Sequence, residues 1–153
     1  MPPIASSITT SDYVKTPSVG TIIQANDPTF GTGEFIWLNG AASTVVGSPV
    51  IYDQLAGTTT LTVAGSRGPV AIAMSANVAG QQGWYQIAGA AVVKTAPVVA
   101  GANAYATATP GQLDDAVVAG DKIDGLRFKT ADGNPSAGFV VAQLDRPAMN
   151  GNG

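Results

Sequence analysis

Glycine and proline punctuate this chain from end to end. There are nineteen and ten of them in 153 residues, scattered rather than gathered into blocks. Long helices tolerate neither residue inside them, whereas short strands need both at their turns. Glutamate, a strong helix former, occurs once, at Glu34. The expected class is all-β.

Short β-like runs with turn signals between them recur from Val19 onward. Val19–Ala25 reads as a strand that stops at Asn26-Asp27-Pro28, a turn initiator. Glu34–Leu38 is aromatic and β-branched enough for another. Asn39-Gly40 is the strongest short turn signal, because both residues accept positive φ. Pro49–Asp53 follows, and then Thr58–Ala64, where Thr alternates with Leu and Val as in a half-buried strand. Val70–Met74 is a continuous apolar run, the pattern of a strand buried on both faces. Gly83–Gly89, Val92–Lys94, Ala102–Ala106, Lys122–Lys129 and Gly138–Leu144 complete eight to ten strands, spaced as in a sandwich or barrel. Residues 112–120 are the one stretch that could form a turn of helix, although Val117-Val118 pulls toward β structure. The short repeat VVAG, at 98–101 and 117–120, has no solenoid period and carries no weight here.

The expected organisation is an extended N-terminal arm (1–18), one β domain (19–147) and an exposed C-terminal tail (148–153). The segment is polar, with Ile4, Ile8, Tyr13 and Val14 as its apolar anchors, spaced too irregularly for a helix; it reads either as a frayed terminus or as an arm whose anchors fill shallow pockets on a neighbouring subunit. The tail segment 146–153 offers nothing to pack. The first residues lack the basic and apolar regions of a signal peptide, and no apolar run approaches the roughly 20 residues of a membrane span. The expectation is a chain that works where it is made.

Composition narrows the chemistry. The chain has no cysteine and no histidine. That removes thiolate metal sites, thiol nucleophiles, imidazole bases and Ser-His-Asp triads. A net charge of −3 and a pI near 4.5, without a basic cluster, speak against nucleic acid as a ligand. Asp114, Asp115, Asp121 and Asp124 cluster in sequence and could offer oxygen ligands to a hard cation, but their spacing is not that of an EF-hand. They read better as a solvated acidic loop. Glu34 beside Phe35, Ile36 and Trp37 is the nearest thing to an acid in an apolar setting, and it reads as a strand residue facing solvent. Gly31-Thr32-Gly33 lacks the third glycine of a dinucleotide loop, and no Walker lysine follows any glycine-rich turn. Neither an enzyme nor a cofactor is expected.

Assembly is a better fit. Only 11% of residues are charged while 45% are hydrophobic, against roughly 25% charged in an average domain. A soluble monomer needs a charged, mixed surface. Arg67, at a turn tip, and Arg146 are candidate interface anchors, since arginine is enriched at interfaces. Tyr13, Trp37, Tyr52, Trp84 and Tyr105 read as core when they lie in strands.

Several blocks of this sequence resemble the decoration, or cement, proteins of tailed-bacteriophage heads. They are Gly83–Val93 (GWYQIAGAAVV), residues 98–115 (VVAGANAYATATPGQLDD) and the closing 141–147 (VAQLDRP). Gly33–Gly40 resembles a G-x-x-W-L-x-G block, and Gly68–Ala76 is a small-residue run before the Gly-Trp-Tyr strand. The Gly101–Tyr105 turn leads to a Thr/Gly tip at Thr107–Gly111. The resemblance spans roughly residues 19–147. It implies a small β-barrel, β-tulip or jelly-roll-like sandwich. The implied role is to bind the outer surface of an expanded head and clamp neighbouring major capsid proteins against internal pressure. It also implies a homo-dimer or homo-trimer on the capsid, made in the host cytoplasm. The sites it leaves are the interface candidates Ile4, Ile8, Tyr13, Val14, Arg67 and Arg146. The competing expectation is a β domain of a tail or fibre that binds a receptor or carbohydrate, with Asn39, Gln81, Gln82 and Trp84 as its groove.

Overall fold

β5 (Gly68–Ala73) is the strand around which the others arrange themselves. It lies in a computed structural model that describes residues 17–152, with eleven strands and no helix among them. The others are β1 (Ile22–Asp27), β2 (Gly31–Asn39), β3 (Pro49–Asp53), β4 (Thr58–Leu61), β6 (Gln82–Lys94) and β7 (Asn103–Ala106). β8 (Leu113–Asp114), β9 (Lys122–Phe128), β10 (Pro135–Ser136) and β11 (Phe139–Met149) complete the series. The chain is all-β, as its punctuation requires. Ile4, Ile8, Tyr13 and Val14 lie outside the described residues.

Every pairing between these strands is antiparallel, and the main path runs β1-β2-β6-β5-β11-β9-β7-β8. β3 joins the other side of β5 and carries β4, and β10 pairs with β11. β6 and β11 run side by side over 88–94 and 139–145 and then part. β5 enters the fork, pairing Ile72 and Ala73 with β6, and Gly68 and Pro69 with the end of β11. The path is open at β1 and β8 among the described residues.

The fork divides the interior in two. Val70 and Ile72 of β5 face a core with Val93, Leu113, Phe128 and Leu144. Ala71 and Ala73 face a second core of Ile36, Leu38, Val50, Tyr85 and Ile87. The continuous apolar run of β5 follows from this, since both its faces are buried. β4, by contrast, alternates exposed with half-buried residues, as its Thr/Leu pattern predicts.

Four local expectations are corrected. Gly83–Gly89 and Val92–Lys94 are one 13-residue strand, because the chain bends at Gly89 without leaving the sheet. Residues 112–120 form no helix. Leu113 is fully buried in β8, and Asp114 Oδ1 accepts the Asp115 and Ala116 N–H groups, which competes with helical bonding. The tail packs further than expected: β11 continues to Met149, which is 0% exposed and lies opposite Gly68 and Ile123. Pro147 is tolerated there because it falls in the register shift between Leu144 and Ala148, where no regular ladder bond is needed.

Asn39-Gly40 makes no hairpin. Gly40 donates its N–H to Gln81 O at 2.7 Å, and a side chain on it would collide with the backbone oxygens of Asn77 and Val78. The glycine permits close approach of the 75–81 loop, not a reversal. Asn26-Asp27-Pro28, however, does turn: Asp27 Oδ1 accepts the N–H groups of Thr29 and Phe30 at 2.7 and 2.9 Å.

Candidate functional site

The two arginines expected at an interface are both engaged within the chain. Arg67 sits at the tip before β5, where its Nη1 donates to Ser66 O at 2.7 Å and lies 3.9 Å from Asp121 Oδ1. That carboxylate is almost buried and also accepts the Gly65 N–H at 2.8 Å. Arg146 binds Glu34 on β2, so the Glu34 side chain is tied to β11 as well as facing outward. Each guanidinium remains about half exposed. Exposed pairs of this kind are worth about 0–1 kcal/mol. Arg146 also acts on Tyr52: burial pushes the Tyr52 hydroxyl above its ordinary range, and the nearby positive charge draws it part of the way back.

The four clustered aspartates diverge in space. Asp114 caps its own turn, Asp115 Oδ2 accepts the Val99 N–H at 2.9 Å, and Asp121 holds Gly65. Asp124 accepts from Asn152 Nδ2 at 2.6 Å. Among the described residues, no three His, Cys, Asp or Glu side chains come close enough to hold a metal ion.

Two surface features do gather side chains. The first is the outward face of the β1-β2-β6 region. Trp37 and Trp84 are directly opposite across β2 and β6, with ring centroids 5.0 Å apart and planes inclined at 67°. Trp37 Nε1 donates to Gln82 Oε1 at 2.9 Å, and Gln82 Nε2 donates to Asn39 Oδ1 at 2.8 Å. The amide and indole groups expected to form a groove are therefore brought together, although Gln81 turns aside to accept the Val78 N–H. Beside them lies an apolar depression of about 230 Å³ lined by Ile23, Phe35, Met74 and Trp84. Both tryptophans are half-buried.

The second feature is apolar. The bond from Val99 to Asp115 holds the 97–101 loop against the 115–119 loop. These loops present Val99 at 62% exposure and Val117 at 73%, with Val118 beside them. Sequence reasoning missed this pair of loops. The signal was the repeated VVAG: Val99 in the first copy and Val117 and Val118 in the second are exposed, while Val98 is buried in the core.

These two features of the described residues present aromatic, amide and apolar side chains. No protein-family model matches the chain, and no curated protein matches it significantly.

Proposed function

We propose that this chain is a structural decoration protein that binds the outer surface of an expanded phage head and clamps neighbouring major capsid proteins. The observation that carries the reading is the exposed valine surface, Val99 with Val117 and Val118, on a domain so poor in charge. Apolar side chains on a surface with few charges favour large, permanent interfaces over transient ones. The resemblance over residues 19–147 supplies the partner, and a homo-dimer or homo-trimer on the capsid belongs to the same proposal. Expanded heads stripped of the protein test it by co-sedimentation. Saturable, high-copy binding that raises the heads' resistance to heat is expected, and substituting Val99 and Val117 with Asp should weaken it. Absence of binding overturns the reading.

The Trp37–Trp84 pair with Asn39 and Gln82 favours a second reading, a tail or fibre domain that binds a receptor or carbohydrate. Aromatic faces beside amides suit sugar recognition. Glycan binding together with failure to bind heads would select it.

A further inference from the structure

Asn-Gly occurs three times in this chain, at 39–40, 150–151 and 152–153. The pairing is chemically labile. Glycine has no Cβ to shield its backbone nitrogen, so that nitrogen can reach the side-chain carbonyl carbon of the asparagine before it. Gly153 lies outside the described residues. The structure holds the other two pairs very differently.

Asn39-Gly40 is pinned. The Gly40 N–H, whose nitrogen would have to attack, donates to Gln81 O at 2.7 Å. The Asn39 N–H donates to Gly57 O at 2.8 Å, and its backbone oxygen accepts the Thr59 hydroxyl at 2.7 Å. Asn39 Oδ1 accepts from Gln82 Nε2 at 2.8 Å. Gly40 is also wedged against the backbone of Asn77 and Val78. Reaction here requires the sheet to open locally first.

Asn150-Gly151 has no such restraint. It follows β11 directly, beyond the last pairing at Met149. Asn150, Gly151 and Asn152 are exposed, and among the described residues the Gly151 N–H has no hydrogen-bond acceptor. The segment is tied down mainly by its side chains. Asp124 Oδ2 accepts from Asn152 Nδ2 at 2.6 Å and from Asn150 Nδ2 at 3.3 Å. The Lys122 N–H reaches Asn152 O at 3.4 Å. Gly151 itself lies against the Arg67 guanidinium.

We propose that Asn150 is a site of spontaneous modification, and that its conversion to an acid releases this segment from Asp124. The Gly151 nitrogen bonds to Asn150 Cγ, the Cγ–Nδ2 bond breaks, and the Gly151 amide proton leaves with the amide as ammonia. Water, the only co-reactant, then opens the five-membered imide at either carbonyl, leaving aspartate or isoaspartate. A carboxylate now stands where an amide donated. It cannot donate to Asp124, and the two like charges repel, while Arg67 beside Gly151 attracts the new one. This inference is independent of the capsid reading and is tested on the free protein.

The full chain is aged in neutral buffer, and in parallel in urea, then digested and mapped by tandem mass spectrometry, whose fragment ions separate Asn150 from Asn152. In the folded chain, conversion at Asn150 should outpace that at Asn39 by roughly fivefold or more, the factor that opening a single net hydrogen bond imposes. In urea the two rates should converge, because both residues precede glycine. Equal rates in the folded chain, or an equally large difference in urea, overturns the assignment. The release is read separately, by solvent exchange of the Asn152 side-chain amide and the Lys122 backbone amide. Asn150→Asp should speed both exchanges more than Asn150→Ala, which removes the donor without adding charge. Equal exchange in the two variants overturns the release.

Discussion

Arg146 and Glu34, 112 residues apart in sequence, meet at one oxygen: Nε and Nη2 of Arg146 reach Glu34 Oε1 at 2.9 and 2.7 Å. The pair joins the irregular part of β11 to β2. Arg146 holds a φ of +44°, a left-handed conformation that costs a side chain about 1–2 kcal/mol. The exposed pair returns about 0–1 kcal/mol. Glu34→Gln should therefore cost under about 1 kcal/mol in urea unfolding. Arg146→Gly, which trades the pair for an unstrained backbone, should fall within about 1 kcal/mol of the parent, and Arg146→Val should be clearly worse.

Tyr85 is fully buried, and its hydroxyl faces Thr59 and Asn77 without closing a hydrogen bond. Burial raises its pKa above the ordinary value of 10.0. The folded chain thus holds this proton to higher pH than the unfolded chain does. The stability that depends on it is complete below about pH 10 and is lost as pH rises through the folded value. Tyr85→Phe should lessen the alkaline loss. Since an unpaired buried hydroxyl costs about 1–3 kcal/mol, it should also leave stability at neutral pH equal or higher. Urea titrations at neutral and alkaline pH measure both effects.

Gly40→Ala introduces a methyl against two backbone oxygens, those of Asn77 and Val78. Neither can move without disturbing the 75–81 loop. Overpacking of this kind costs about 1–3 kcal/mol, which thermal unfolding would register as a lowered Tm.

Met149 tests how far the domain extends. Removal of residues 151–153 takes away the exposed Asn152–Asp124 hydrogen bond and should cost no more than about 1.5 kcal/mol in thermal melts. Met149→Ala should cost about 2–5 kcal/mol, as for a buried methionine elsewhere in a core. A loss near zero would mean that the end of β11 does not pack.

Trp37 and Trp84 should couple. A double-mutant cycle to Ala is expected to give about 0.5–1.5 kcal/mol, the worth of an aromatic pair beyond its buried area. Each single substitution should cost less than the 3–5 kcal/mol of a fully buried ring, since both indoles are half-buried.

Much of this was legible from local pattern. The apolar run at 70–74 announced a strand buried on both sides, and Asn26-Asp27-Pro28 announced a turn, which the structure shows capped by the Asp27 side chain. Asn39, Gln82 and Trp84 were legible as candidates because their residue types suit a binding surface. That Trp37 stands opposite Trp84 was not, because cross-strand register depends on how β2 and β6, 43 residues apart at their start and end, are brought together. Arg67 and Arg146 were visible as exposed cations. Their carboxylate partners, Asp121 and Glu34, were not, because both are distant in sequence.

Sequence by itself determined the class of this protein: glycine and proline so frequent exclude long helices, and the alternating or continuous apolar runs between them can bury their side chains only as strands. The absence of cysteine and histidine determined which side chains are missing from any site. Tertiary structure alone decided where a strand ends. Gly89 bends β6 without breaking it, and Pro147 is carried through β11, because neighbouring strands hold the backbone on either side. It also decided that Asn39-Gly40 is a point of close approach rather than a hairpin. A local signal states which conformations a residue permits, and only the packing around it selects among them.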